Sequence, residues 1–169
     1  MVSKQDASES LMLNVQRAEK MAASLTEADL AKPVYSAEGP EWTVKDIFAH
    51  LASMGASPAF FIGMAQRAMA SSGSGGGGGG MPPGFDVNAF NNQQVEIRKD
   101  KTVFELLAEF RQGHEKGVEM LAATPDEVLT FQMPNPFEGG MSCALDMIAG
   151  SCGDHEAQHL VDIAQALRA

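Results

Sequence analysis

Basic residues are scarce and scattered in this 169-residue chain: 12 Lys and Arg against 22 Asp and Glu, for a formal net charge of −10. A nucleic-acid footprint needs clustered cations to exchange for counterions, so DNA and RNA are excluded as expected partners. Anionic membrane surfaces are disfavoured for the same reason. No uninterrupted apolar run of spanning length is apparent, and the start "MVSKQDASES" lacks the charged-then-apolar layout of a signal peptide. Only two cysteines occur, Cys143 and Cys152. Nine residues apart on one expected helix, they stand roughly 13 Å apart along its axis, too far for a disulfide. They read as small buried apolar residues of a reducing compartment, and the expected location is the cytoplasm. Strand patterning is nearly absent as well.

Helical punctuation fills the rest. The length suits a single domain over residues 1–169 that buries about two thirds of its unfolded surface. A first helix is expected over 4–24, with Leu11, Val15, Ala18, Ala22 and Leu25 at core spacing. "TEAD" (26–29) has the form of a capping start for a short turn that Pro33 ends. The second helix opens at "EWTVKDIFAHL": Thr43 is its expected N-cap, Asp46 occupies the third helical position, and Trp42 staples onto Ile47. It runs to about Met69, kinked at Pro58, which lacks a backbone donor.

The tract "SSGSGGGGGGMPPG" (71–84) leaves the backbone too free for packing to fix, so a flexible loop is expected between helices two and three. No Gly-Lys-Ser/Thr follows, so it is not a phosphate-binding loop; a lid over a substrate is the alternative. "FDVNAFNNQQVEIR" leads in as a short helix. Helix three follows, with Thr102 and Glu105 forming a capping box and Val103, Leu107 and Phe110 buried. Gly113 and Gly117 weaken it and so mark a close backbone approach. "TPDE" (124–127) starts another turn with Thr124 as cap, "FQMPNPFEGG" is a loop, and helix four covers about 141–167 with Ser142 as its cap. Four long helices make an all-α, antiparallel four-helix bundle.

On steps of three and four, Leu145, Ile148, Cys152, His155, His159 and Asp162 share one face of helix four, and Ile47, His50, Met54 and Phe61 share one face of helix two. Imidazoles at i and i+4 stand one above the other, and a third from a facing helix completes a three-histidine site with an open position. An interior histidine is otherwise a hydrogen-bonded core residue. Burying three without a partner costs on the order of several kcal/mol, which a metal offsets. His114 lies four residues after Phe110, which points it inward, yet its flanks "RQG" and "EKG" are polar and indicate an exposed role; a fourth ligand is the alternative. Asp46, one turn before His50, either orients that ring, ligates, or merely complements the helix N-terminus.

"HEAQH" (155–159) matches the H-E-x-x-H of zinc peptidases. The extended form of that signature requires Gly at 162 and His at 165, where this chain has Asp162 and Gln165. No downstream glutamate exists and no strand is expected to hold a peptide. The match is read as coincidence, with Glu156 left as outer-shell support or solvent-exposed.

With "WTVKDIFAHL" and "DHEAQHLVDI" the chain resembles the DinB-like superfamily, which includes mycothiol-dependent maleylpyruvate isomerases and bacillithiol S-transferases; "FDVNAFN" is similar to that family's approach to its third helix. The resemblance implies an up-up-down-down bundle and one metal ion held by His50, His155 and His159. It also implies a homodimer, and an enzyme using a low-molecular-weight thiol on a small electrophile, by S-transfer, isomerisation or hydrolysis. Three neutral imidazoles suit a divalent transition metal, zinc, nickel, iron or copper. Nothing in the sequence marks a thiol site. The rival expectation is a non-enzymatic, stress-associated protein that binds a small ligand, for which eleven methionines offer either an adaptable pocket or plain core filling.

Overall fold

The computed structural model describes residues 2–35, 41–72, 84–137 and 139–168. Of the glycine tract, residues 73–83 fall outside this description, so the expected flexible loop does too.

Helix α1 (Lys4–Ala22) begins at Ser3, whose hydroxyl and backbone exchange hydrogen bonds with Asp6 in a capping box. The same device opens α2 (Glu27–Leu30) at Thr26/Asp29, α3 (Val44–Met54) at Thr43/Asp46 and α6 (Val103–Ala123) at Thr102/Glu105. Asp46 is therefore a cap partner, not a ligand. The expected kink at Pro58 is a full break. Without an N–H, Pro58 cannot continue the ladder, so α3 stops at Met54 and α4 (Ser57–Ser71) restarts with Pro58 in its first turn. The stretch Val44–Ser71 is apolar and long enough, by length and composition alone, to cross a membrane; 61% of its most apolar window is buried inside the bundle.

Helix α5 (Val87–Arg98) is the expected lead-in, capped by Asp86. In α6 the buried line is Leu106, Phe110, His114, Gly117 and Leu121, one residue off the expected Val103–Leu107 register, and those two residues are only half-buried. Its depth is set instead by the approach of α3 and α4. A Cβ on Gly113 would lie 2.5 Å from the Gly55 carbonyl, and one on Gly117 would lie 2.7 Å from the Pro58 ring, so the expected close approach is real. Thr124 does not cap the next turn: its hydroxyl donates back to the Met120 carbonyl, and Pro125 takes the N-cap of α7 (Asp126–Leu129).

The loop that follows carries a two-residue ladder, β1 (Met133–Pro134) against β2 (Met141–Ser142), turned by Gly139 and Gly140 at φ of 74° and 73°. Ser142 is thus a strand residue, and Cys143 is the N-cap of the last helix. That helix is α8 (Ala144–Met147), a wide π-helical segment (Ile148–Asp154) and α9 (His155–Ala166) in unbroken succession. Both cysteines are free and buried, and burial raises both thiols above their ordinary range.

Four rods therefore pack as a bundle: α1, α3–α4, α6 and α8–α9. Contacts fix their directions. Arg111 bonds Glu19, and Lys4 donates to the Thr124 carbonyl, so α1 and α6 are antiparallel. Gly55 faces Gly113 and Pro58 faces Gly117, so α3–α4 runs parallel to α6. Asn14 bonds the 152–153 carbonyls, and Arg17 and Met21 share a surface with Ala157 and Ala164, so α1 runs parallel to the last helix. Along the chain the order is up-down-down-up, where the resemblance implied up-up-down-down. The parallel α4–α6 pair needs a crossover, and the linker containing α5 provides it. The core forms two clusters. One gathers α1, α4, α7 and α8 around Leu11, Phe61 and Ile148; the other gathers α1, α3, α6 and α9 around Phe48, Phe110 and Ile163.

Candidate metal centre

His50 sits two turns into α3, buried, with its ring 4.9 Å from that of Trp42. Across the groove, α9 presents His155 and His159 one turn apart. The geometry brings the three together: each offers a ring nitrogen, and these atoms all lie within 4.8 Å of one another. His155 Nε2 and His159 Nε2 are 3.0 Å apart. His50 and His159 are buried, whereas His155 is exposed.

The exposure of His155 comes from the π segment. A wide turn holds one more residue than an α-turn, so beyond Cys152 the buried line passes to Glu156, His159, Leu160 and Ile163 instead of the expected His155, His159 and Asp162. The segment is also held from outside. Asn14, 2% exposed on α1, donates from Nδ2 to the Cys152 oxygen at 3.0 Å and the Gly153 oxygen at 2.8 Å. Nothing marked Asn14 in the sequence except a polar residue inside the Leu11–Val15–Ala18 apolar stripe.

A second unforeseen contributor is Tyr35. Its hydroxyl lies 2.7 Å from His159 Nδ1 and donates to Asp162 Oδ2 at 2.9 Å. A carboxylate only accepts, so the phenolic proton goes to Asp162 and the phenolic oxygen accepts from His159 Nδ1–H. The lone pair of His159 is thereby on Nε2, which faces His155. Burial, reinforced by the neighbouring imidazoles, pushes His50 down to about 3; burial and His155 push His159 down to about 4. Desolvation lowers His155 too, against the pull of Asp162. Neutral imidazole is the form that ligates a metal.

The donor set fits a transition-metal ion. Bonds of about 2.0–2.1 Å in a tetrahedral site place ligand nitrogens about 3.3 Å apart; the 3.0 Å separation and the 4.8 Å limit bracket that value. His50 Nδ1 is buried without a hydrogen-bond partner, a deficit that a coordinated ion at this cluster relieves either directly or by reorienting the ring.

His114 is not exposed, as its flanks suggested, and it does not join the cluster. It lies fully buried, with Nε2 2.9 Å from Glu156 Oε2. Burial raises Glu156, and hydrogen bonds from His114 and Asn14 oppose that rise. The glutamate of the H-E-x-x-H string is thus committed to the bundle interior and not to the histidine cluster, which removes the peptidase arrangement.

His50 and His155 form one wall of a cavity of about 830 Å³. Phe60, Phe61, Phe85, Phe90 and Phe137 line its sides, with Ser53, Ser57, Asn91, Ser151 and Gln158 among them.

These features define a DinB-like four-helix bundle with convergent histidines at one face. Residues 11–164 match the mycothiol maleylpyruvate isomerase N-terminal domain family, and the chain belongs to that family. Among curated proteins none matches the sequence. Among solved structures, YfiT from Bacillus subtilis, described as a probable metal-dependent hydrolase with an unusual four-helix bundle topology, superposes with a TM-score of 0.74 at 17% identity, covering 98% of this chain and 86% of that one. A variant of mycothiol-dependent maleylpyruvate isomerase gives 0.65 at 11% identity; 96% of this chain is covered but only 63% of that protein. An uncharacterised protein from Escherichia coli UTI89 gives 0.67 at 13% identity, covering 99% and 94%. Identities this low establish a shared fold.

Proposed function

We propose that this protein is a metal-dependent enzyme acting on a small electrophile, with His50, His155 and His159 holding one divalent transition-metal ion. The observation that carries this reading is the meeting of three imidazoles, two of them buried, within 4.8 Å, at the wall of a cavity large enough for a small molecule. Family membership and the likeness to YfiT, described as a probable metal-dependent hydrolase, support it.

When bound, the ion supplies Lewis acidity at its open position and lowers the pKa of a water or thiol there. The chain's residues do the rest. Asp162, through Tyr35, holds the proton of His159 on Nδ1 and so fixes the ring's orientation. Trp42 packs on His50 and limits its rotation. A ligand seated against the phenylalanine walls would exclude water from the reacting end. Hydrolysis, isomerisation and thiol transfer share this layout, and a low-molecular-weight thiol is the proposed second substrate in the last case.

Elemental analysis of untagged protein, repeated on His50→Ala, His155→Ala and His159→Ala, tests the site. Near one equivalent in the parent and loss in each variant are expected; full occupancy in the variants overturns the reading. A rival reading, ligand binding without turnover, draws on the same cavity. Turnover of an electrophile panel that requires the metal, with water or a thiol as co-substrate, eliminates it.

A further inference from the structure

Five of the chain's nine phenylalanines line the cavity that opens onto His50 and His155. They are arranged as contacting pairs rather than dispersed: ring centroids are 5.7 Å apart for Phe60 and Phe61, 6.0 Å for Phe61 and Phe137, and 5.5 Å for Phe85 and Phe90. Phe60, Phe90 and Phe137 are each more than 40% exposed. Large apolar side chains held open to water around a concave site mark a surface that a ligand covers.

The polar content is equally selective. Of the chain's 12 Lys and Arg, none lines this cavity among the described residues, and Asp154 is the one acid that does. Segment 73–83, outside the described residues, contains neither Lys nor Arg in its sequence. Recognition of a carboxylate, sulfonate or phosphate relies on guanidinium, ammonium or a set of free donors. The Ser53 hydroxyl is not available for that purpose, because it donates to the His50 carbonyl at 2.6 Å.

From this we infer that the ligand has an uncharged, aromatic or similarly broad apolar body that lies against the phenylalanines, with its reactive polar end turned toward His50 and His155. The inference rests on the reading of the histidine cluster as the reacting end. The apolar body stands on the cavity alone. Substrates whose body is itself anionic are disfavoured.

A matched pair of fluorescent probes separates the two claims. N-phenyl-1-naphthylamine is neutral; 1-anilinonaphthalene-8-sulfonate has the same ring system with one sulfonate. Both are titrated against metal-loaded and chelator-stripped protein. In the stripped form the neutral probe is expected to bind at least about ten-fold tighter than the sulfonate. Phe90→Ser and Phe137→Ser, at exposed positions, should weaken the neutral probe by about ten-fold without altering metal content, and Phe104→Ser, which is outside the cavity, should not. Asn91→Arg should narrow the preference by improving the sulfonate. Equal or tighter sulfonate binding to stripped protein, or indifference to Phe90 and Phe137, overturns the inference. If the elemental analysis finds no ion while the probe preference holds, the metal reading falls and the apolar ligand class stands; an ion without the preference is the reverse.

Discussion

Replacing Asn14 by leucine conserves volume and removes one amide. That amide donates to two carbonyls of the π segment, at 3.0 and 2.8 Å, in a place only 2% exposed. Each buried group left unsatisfied costs about 1–3 kcal/mol, so the expected loss is about 2–5 kcal/mol. The freed carbonyls also favour return to a regular α ladder, which turns α9 by up to about 100°, one residue's rotation, relative to α8. His155 and His159 would then no longer meet His50. Metal affinity is therefore expected to fall at least ten-fold, the scale on which outer partners of ligands act. Leu106→Ala is the control: it is fully buried on α6, belongs to the core cluster that contains no residue of the π segment, and costs a similar 2–5 kcal/mol or so by leaving a cavity. Urea unfolding measures the first effect in both variants, and competition with a chromophoric chelator measures the second. If the two variants lose stability alike and both retain parental metal affinity, the claim that Asn14 aims the histidines is wrong.

Tyr35→Phe removes the acceptor for His159 Nδ1–H and should weaken metal binding by about ten-fold with little change in fold; unchanged affinity by chelator competition would refute the relay. In chelator-stripped protein, His50 and His159 titrate near 3 and 4 when folded and near 6.5 when unfolded. The unfolded chain thus takes up protons first. Their contribution to stability is full above pH 6.5 and lost as the pH falls through the folded values, at up to about 1.4 kcal/mol per pH unit for each. Glu156, raised by burial, works in the opposite sense, its contribution being present at acid pH and lost as pH rises through its folded value. Urea midpoints from pH 7.5 to 5, parent against His50→Gln/His159→Gln, isolate the histidine slope; identical slopes would show that the two rings do not produce it. His114→Leu alone should cost about 1–3 kcal/mol by leaving the buried Glu156 carboxyl without its hydrogen-bond partner, while His114→Leu/Glu156→Leu together should return most of that loss. Calorimetry on the two variants decides, and a double variant no more stable than the single would contradict it.

The bundle was legible because its signals are local: capping starts at Thr26, Thr43 and Thr102, a proline that lacks a donor, and glycines where helices touch. His50, His155 and His159 were legible for the same reason, since an i, i+4 pair and a third apolar-face imidazole need only helix periodicity. The failures have a common cause. A π turn adds a residue without any residue type announcing it, so the stripe on the last helix was read one position early after Cys152, and Glu156 was missed as a core group. His114 was judged by its flanks, although Phe110 four residues earlier already faced inward. Tyr35 and Asn14 act across 124 and 138 residues of sequence, and only folding brings them to their partners. Chain direction was likewise set by a distant fact, the long α4–α6 crossover.

The wide turn at Ile148–Asp154 behaves like a tolerated insertion: the helix absorbs a surplus residue there while the segments on either side keep their places. Gly150 is a natural candidate for the surplus, since a Cβ built on it meets nothing within 4 Å. Deleting it should regularise the helix and leave His155 and His159 aimed as before, and in that background Asn14 would have no wide turn to hold. Asn14→Leu, harmful alone, would then be suppressed by loss of one codon more than a hundred positions away.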